Sequence, residues 1–248
     1  MLVLNRELLL PVDCLPLAAE LAGVSLPAAL APTPRWREPG EAGEYRDVAV
    51  QSLTERGLWV GGGLREAFVR TMTVLCRGDI ELSATVESQP ARRYRLVVSA
   101  AGVDGVLACH VPASGQVLVR PARPEALAEE MISELPAVPA ATGPAMSVPE
   151  GDLSLAANGG AARRDVRRVM DVVMRPRTGA GQITANTRHW LSGRRSSGND
   201  VCTYYDTPQG RYLFWFSGEP GCDRHVNVAP ARPETLAGQL RDLLDRLR

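Results

Sequence analysis

Near the end of the chain, the stretch Val228-Ala229-Pro230-Ala231-Arg232-Pro233-Glu234-Thr235-Leu236-Ala237 repeats an upstream stretch, Val119-Arg120-Pro121-Ala122-Arg123-Pro124-Glu125-Ala126-Leu127-Ala128. Between Pro121 and Ala128 only one of eight positions differs from its counterpart 109 residues later. Each copy follows an alternating apolar pattern that is typical of a strand. Each then places Pro and Glu together, and these residues favour the first turn of a helix. The sequence therefore predicts a duplicated unit.

The segments before the two copies show the same order of patterns. A helical stripe of apolar residues comes first, at 64–75 in one half and at 166–173 in the other. About four strand patterns follow in each half, at 80–87, 94–100, 105–111 and 116–120, and then at 182–186, 201–205, 211–216 and 225–228. The connections are as short as hairpins, so we expect antiparallel strands.

This pattern predicts an α+β fold with two pseudo-two-fold-related helix–four-strand–helix units that share a central, mainly antiparallel sheet. The predicted domains are an N-terminal subdomain over 1–137, a linker over 138–160 that is rich in Pro, Ala, Gly and Ser, and a C-terminal subdomain over 161–248. We expect helices on one face of the sheet. Two separate domains on a flexible linker are the alternative.

Composition limits the classes of function. The formal net charge is zero, which argues against a protein whose main task is to bind phosphate backbones. The five cysteines show no CxxC or Cys/His spacing, so we expect free thiols in a reducing compartment. No apolar run approaches the length that spans a bilayer. We therefore expect a cytoplasmic protein without membrane insertion.

Candidate catalytic residues are sparse. His110, His189 and His225 fall on separate predicted strands or strand ends, without a carboxylate or Cys at metal-ligand spacing. The run Gly61-Gly62-Gly63 precedes a helix, but Glu66 occupies the position of the third glycine of a dinucleotide-binding motif. We expect no enzyme activity, no cofactor, no metal site and no small-molecule substrate.

Nine arginines between Arg163 and Arg195 raise a nucleic-acid-binding function as the alternative. Aromatic stacking partners are nearly absent from this region, and the helical spacing places many of the arginines on the solvent side. A solvated face that meets an acidic partner is the favoured interpretation. The cluster consists of Arg163, Arg164, Arg167, Arg168, Arg175, Arg177, Arg188, Arg194 and Arg195.

Several strands are apolar on both alternating sets of residues, as in the runs 96–98 and 212–216. If helices cover one face only, the other face keeps an apolar surface that is typical of an interaction module. Arg211 lies on the alternation set of Leu213 and Trp215, so we expect that set to be the wetter one. The candidate partner-binding residues are Gln89, Arg92, Arg93, Tyr94, Leu96, Leu213 and Trp215.

Four short motifs, taken in order, resemble the EspG family. They are Glu55-Arg56-Gly57-Leu58, Ser147-Val148-Pro149, Asp206-Thr207-Pro208-Gln209-Gly210-Arg211-Tyr212-Leu213, and Val228-Ala229-Pro230 with its Leu-rich helix. The resemblance covers roughly residue 50 to the end, together with the general layout of the N-terminal part. The motifs are turns and helix caps, and the ordered set with its internal duplication carries the resemblance.

The resemblance implies a cytosolic chaperone of type VII (ESX) secretion. Members of this family bind the exposed apolar tip of the PPE subunit in PE–PPE heterodimers and keep these clients soluble until export. They have a quasi-two-fold fold with a central antiparallel sheet and two helical bundles. The client implied here is a PE–PPE heterodimer or a related helical ESX substrate.

Overall fold

The structure, a computed structural model, describes residues 5–33, 41–89, 92–189, 192–198, 200–219 and 221–247. It is an α+β protein with a large antiparallel sheet. The chain forms two compact units. Unit 1 comprises Met1–Thr85, Arg93–Glu134 and Asn186–Ser197, and unit 2 comprises Val86–Arg92, Leu135–Ala185 and Gly198–Arg248. The units therefore interleave in sequence, whereas contiguous subdomains were expected.

The described residues of unit 1 form four α-helices, of which three precede its run of long strands. Its strands follow the spatial order β1-β7-β6-β5-β4, and β2 and β3 form a separate small hairpin. The elements are β1 (Leu8–Pro11), α1 (Leu15–Leu21), α2 (Glu41–Glu55), β2 (Trp59–Val60), β3 (Gly63–Leu64), α3 (Glu66–Arg77), β4 (Ile80–Ser88), β5 (Arg92–Ala101), β6 (Asp104–Val111), β7 (Gln116–Pro121) and α4 (Leu127–Ser133).

Unit 2 has the spatial strand order β9-β11-β12-β13-β8. Its elements, with the short β10 that belongs to unit 1, are β8 (Met146–Pro149), α5 (Glu150–Ala157), α6 (Arg164–Val173), β9 (Gly179–Arg188), β10 (Arg195–Ser197), β11 (Cys202–Thr207), β12 (Gly210–Ser217), β13 (His225–Pro230) and α7 (Pro233–Asp245). Each unit thus has the predicted order of helix, four strands and helix, with additional elements before it.

The repeated sequence has the same local structure in both units. After β7, the Ala122 N–H donates to the Gly105 carbonyl at 2.9 Å, and after β13 the Ala231 N–H donates to the Arg211 carbonyl at 2.9 Å. Each bond fixes the turn from the strand into its helix. At Gly105 a Cβ would lie 2.4 Å from the Ala122 carbonyl oxygen, so only glycine allows this close approach. The predicted strand–helix repeat is confirmed.

The edge strands extend this correspondence beyond the sequence repeat. In β1, Leu10 lies opposite Val117 of β7, and in β8, Val148 lies opposite Val226 of β13. Val117 and Val226 are counterparts at the 109-residue offset. Both edge strands also end in proline. Each edge strand has only four residues, which is why alternation did not reveal either.

In unit 1 helices pack on both faces of the strands, one of which is covered only in part, and this corrects the expectation that helices lie on one face. Val97 and Ala108 pack in a core with residues of α1, α2 and α3. Leu96 and Leu107 point to the opposite face and are also 0% exposed. α4 packs against β6. A strand with consecutive apolar residues is buried on both sides, and the run 96–98 is such a strand.

In unit 2, buried residues also lie on both faces of a strand, β12. Tyr212 and Phe214 pack in a core with residues of α5 and α6, and Leu213 on the other face is 0% exposed. α7 packs against β11 and buries Leu240. The aromatic run of β12 therefore does not leave one whole alternation set to solvent.

The segment 138–160, expected to be a linker, contains β8 and α5. Its Pro- and Gly-rich composition concealed them because β8 is short and α5 has apolar residues on several sides. Ala141 and Val148 are buried in the core of unit 2. This segment is therefore part of the folded unit.

Candidate partner-binding site

The residues predicted to bind a partner differ in unit and in exposure. Gln89 and Arg92 belong to unit 2, at a turn whose central residues, Pro90 and Ala91, lie outside the described residues; both side chains are exposed. In unit 1, Arg93 is exposed and Tyr94 is partly exposed.

The other three predicted residues lie in strands. Leu96 in unit 1 and Leu213 in unit 2 are both 0% exposed, whereas Trp215 in unit 2 is partly exposed. The side chains of Leu96 and Leu213 are therefore inside the core, where a partner cannot reach them. Strand alternation alone could not reveal this, because it gives the face and not what covers it.

Unit 1 has an accessible apolar surface at the outer end of the face that α4 covers in part. Leu9 of β1 lies opposite Leu118 of β7, which lies opposite Cys109 of β6. Leu9 is 57% exposed, and Leu118 and Cys109 are partly exposed. Val111, two residues further along β6 on the same face, is 37% exposed. We refer to Leu9, Cys109, Val111 and Leu118 as the apolar strip.

Polar groups border the apolar strip. The Tyr94 hydroxyl donates to the carbonyl oxygen of Glu134, at the end of α4, at 2.7 Å. Arg120, on the Leu118 side of β7, donates to Glu134 and Glu130 at 2.8 and 2.7 Å. Because α4 ends at Ser133, the strip beyond it stays accessible. An apolar centre with a polar rim is the usual composition of a protein interface.

The Glu130 carboxylate accepts hydrogen bonds from two arginines of this rim, Arg120 and Arg123. Burial opposes its ionisation, but hydrogen bonds from Arg123 and Arg120 outweigh that effect and hold the pKa of Glu130 below its ordinary value. Burial, with a smaller contribution from the Glu134 charge, raises the pKa of the Cys109 thiol to about 11. Cys109 is therefore protonated at neutral pH and acts as a small apolar side chain.

The corresponding row of unit 2 is polar at its two outer positions. Ser147 of β8 lies opposite Asn227 of β13, which lies opposite Trp215 of β12. The Asn227 side chain donates to Ser217 Oγ at 2.9 Å. Thus Ser147 occupies the position that Leu9 has in unit 1. The row of accessible apolar residues is therefore found in unit 1. The sequence indicates it by an apolar residue, Leu9, in the middle of Leu8-Leu9-Leu10, where Met146-Ser147-Val148 has serine.

The arginines that the sequence groups together divide between the two units. Arg188, Arg194 and Arg195 belong to unit 1, and the remaining six belong to unit 2. Arg195 pairs with the buried Glu81 at 2.9 Å. Arg175 donates to the Tyr212 hydroxyl at 2.7 Å. Arg195 and Arg175 thus make contacts within their own units and are partly engaged by them.

Other kinds of site find little support in the described residues. Within them, no group of three or more His, Cys, Asp and Glu side chains could hold a metal ion. A pocket of about 370 Å³ in unit 1 is lined by Pro11, Asp13, Cys14 and α2 residues from Glu44 to Ser52, Tyr45 among them. The Tyr45 hydroxyl already donates to the Asp13 carbonyl oxygen. Of the helices in the described ranges, none is both long and apolar enough to cross a bilayer.

These features define an α+β protein whose accessible chemistry is an apolar strip with a charged rim, a surface that suits protein–protein contact. The chain belongs to the EspG family, whose model matches residues 11–242. No curated protein matches its sequence significantly. Among solved structures it is similar to the Mycobacterium tuberculosis type VII secretion system chaperone EspG5 in complex with the PE25–PPE41 dimer. The TM-score is 0.73 and the identity 16%, over 98% of this chain and 97% of that chain.

Proposed function

We propose that this protein is a non-enzymatic cytosolic chaperone of type VII (ESX) secretion. It binds the apolar tip of the PPE subunit in a PE–PPE-like heterodimer, or a related helical ESX substrate, and keeps that client soluble for export. The observation that carries the proposal is membership of the EspG family over residues 11–242. The similarity of fold to EspG5 supports it over nearly the whole chain.

The apolar strip of unit 1 is the proposed centre of the contact. Its exposed end, Leu9, lies on an edge strand whose Leu9 carbonyl accepts a hydrogen bond from Arg56 at 2.9 Å. That bond occupies one outward backbone acceptor of the edge and so opposes uncontrolled strand addition. The leucine side chain remains free to contact an apolar client helix. A client that buries this side chain gains about 25 cal/mol for each Å² of apolar surface removed from water.

The accessible residues predicted from the sequence complete the proposed contacts. Arg93 and Tyr94 belong to the unit that carries the strip, whereas Gln89, Arg92 and Trp215 are contacts on unit 2. We leave Leu96 and Leu213 out because both side chains are fully buried. Charged and amide side chains at a rim affect specificity and association rate more than affinity.

We also propose that the two units are related by a pseudo-two-fold axis and share one sheet. Two backbone bonds support this arrangement. In unit 1 the Arg188 N–H donates to the Asp79 carbonyl at 2.8 Å, and in unit 2 the Gln89 N–H donates to the Thr178 carbonyl at 2.9 Å. The donors are 99 residues apart in sequence, and so are the acceptors. The two bonds are therefore equivalent under the duplication, as repeated units require.

Co-expression tests the proposed function. PE–PPE heterodimers and small helical ESX substrates encoded by the same genome are produced with and without this chain, and the soluble fraction of each is measured. We expect at least one of them to move from the insoluble to the soluble fraction and to co-elute with the chain in size-exclusion chromatography. If every candidate behaves the same with and without the chain, the proposal is wrong.

A further inference from the structure

The solvent face of α6 carries an uninterrupted group of positive charges. Arg163, at its N-cap, and Arg164, Arg167 and Arg168 in its first turns are all exposed. The opposite stripe of the helix is buried in the core of unit 2 through Val166, Val169 and Val172. Because that stripe fixes the rotation of the helix, the four guanidinium groups face water together.

None of these four side chains forms a hydrogen bond or an ion pair with the described part of the chain. Other arginines of unit 2 differ. Arg177 lies over the Tyr205 ring at 3.7 Å, and Arg224 pairs with Asp200 at 3.1 Å. Four like charges on two helical turns repel one another. A bound anionic group relieves that repulsion.

The nearby acidic groups do not neutralise the face. On α6 itself, the Asp165 carboxylate accepts a hydrogen bond from the Val166 N–H at 2.9 Å, an arrangement that belongs to the helix start. On α5, which packs against α6, Glu150 faces Arg224 at 3.9 Å. Asp171 is exposed on α6 without an ion pair to these arginines. The face therefore stays positive although the whole chain has zero net charge.

The corresponding helix of unit 1 has no such face. α3 directly precedes β4 as α6 directly precedes β9, and its exposed residues are Glu66, Arg70, Thr73 and Arg77. Its Arg70 is engaged with the buried Asp104, to which Nε donates at 2.6 Å. A helix in this position therefore packs on the sheet without a group of unpaired arginines. The charge on α6 is not needed for the fold.

We propose that the solvent face of α6 is a docking surface for an acidic segment of a protein partner. The helix is about 15 Å long, at 1.5 Å for each of its ten residues, and matches a short Asp- and Glu-rich segment. Met174, next to α6, is 77% exposed and adds an apolar contact. A phosphodiester chain would gain little from that contact and finds no aromatic residue in α6 for stacking. These features favour a protein over a nucleic acid.

Fluorescence anisotropy with the full chain tests this inference directly. The probes are a labelled peptide of about ten residues with Glu at half of its positions, the same peptide with Gln for Glu, and a single-stranded DNA of similar length. We expect the Glu peptide alone to bind at low salt and to weaken as salt rises, because exposed ion pairs are screened. Arg164→Glu/Arg168→Glu should weaken that binding at least about tenfold, and Arg164→Gln/Arg168→Gln by less.

The control is Arg65→Glu/Arg232→Glu, which changes net charge equally at the exposed N-caps of α3 and α7. It should leave the affinity for the Glu peptide within about twofold. Circular dichroism establishes that all variants are folded. Equal loss of binding in the control, tighter binding of DNA than of the Glu peptide, or no binding of the Glu peptide by the wild-type chain would each overturn the inference. The experiment does not involve the client, so its failure leaves the proposed function untouched.

Discussion

Arg211 and Asp206 form a buried bidentate ion pair across the β11–β12 hairpin. Nε and Nη2 of Arg211 donate to the two carboxylate oxygens of Asp206 at 2.6 and 3.0 Å, and both residues are 5% exposed or less. The Arg211 guanidinium also lies 4.2 Å from the centre of the Tyr204 ring. Gly181 makes room for that ring, since a Cβ there would lie 2.3 Å from it. The hairpin motif that resembles the EspG family is thus a structural element of unit 2.

Removing one partner of this pair should destabilise the protein strongly. Asp206→Ala leaves a buried guanidinium without its counterion, so we expect a loss of about 3–5 kcal/mol in the free energy of unfolding, measured by urea titration. The double variant Asp206→Leu/Arg211→Met removes both charges and should lose much less. A loss below about 1 kcal/mol for Asp206→Ala would show that the pair does not stabilise the hairpin.

The depressed pKa of Glu130 predicts a pH-dependent effect of its replacement. Because its pKa is lower in the folded state than in the unfolded state, its contribution is complete above the unfolded value of about 4.3 and is lost as the pH falls through the folded value. We expect Glu130→Gln to lower the unfolding free energy by about 2 kcal/mol at pH 7, with the difference shrinking below about pH 4. Urea titrations at several pH values measure it.

Glu125→Gln is the matched control for that series, because Glu125 is an exposed carboxylate just before the same helix. Its unfolding free energy should stay within about 0.5 kcal/mol of wild type at each pH. A loss in Glu130→Gln that is constant from pH 7 to about pH 3 would contradict the role of the ionised carboxylate.

The helix–strand order and the strand–helix repeat could be predicted because both are local patterns. The stripe of α6 and the alternation of β4 each have a single period. The coverage of both faces was missed although Leu96-Val97-Val98 indicates it, since three consecutive apolar residues cannot all face one side of a strand. The apolar strip depends on where α4 ends and on the pairing of Leu9 with Leu118. Both depend on tertiary contacts with residues far along the chain, so the sequence near Leu9 could not predict them.

The rate at which the Cys109 thiol is alkylated reports whether a bound client covers the apolar strip. The raised Cys109 pKa of about 11 leaves little thiolate at pH 8, so the thiol should react slowly with iodoacetamide, whereas the exposed Cys222 should react first. Bound client should slow the modification of Cys109 at least about fivefold and leave Cys222 unchanged, as mass spectrometry over time would show. Equal rates at Cys109 with and without client would place the contact elsewhere.

Replacement of Trp215 by alanine tests the proposed contact on unit 2. Trp215 is partly exposed in β12, and truncation of an aromatic anchor costs about 2 kcal/mol or more of binding. Trp215→Ala should therefore weaken client binding at least about tenfold in a pull-down titration with folded protein. Arg92→Glu/Arg93→Glu should mainly slow association, because rim charges act on the encounter. Unchanged affinity and unchanged association rate in these variants would remove the turn and β12 from the interface.

Calorimetric titration with the solubilised client shows whether the chain binds a helical ESX client through the apolar strip. We predict saturable binding to wild type, a loss of at least about 2 kcal/mol in Leu9→Glu, and almost none in Ser147→Glu, which places the same charge at the corresponding edge position of unit 2. Absence of saturable binding to wild type, or equal affinities of the Leu9→Glu and Ser147→Glu variants, would contradict the account.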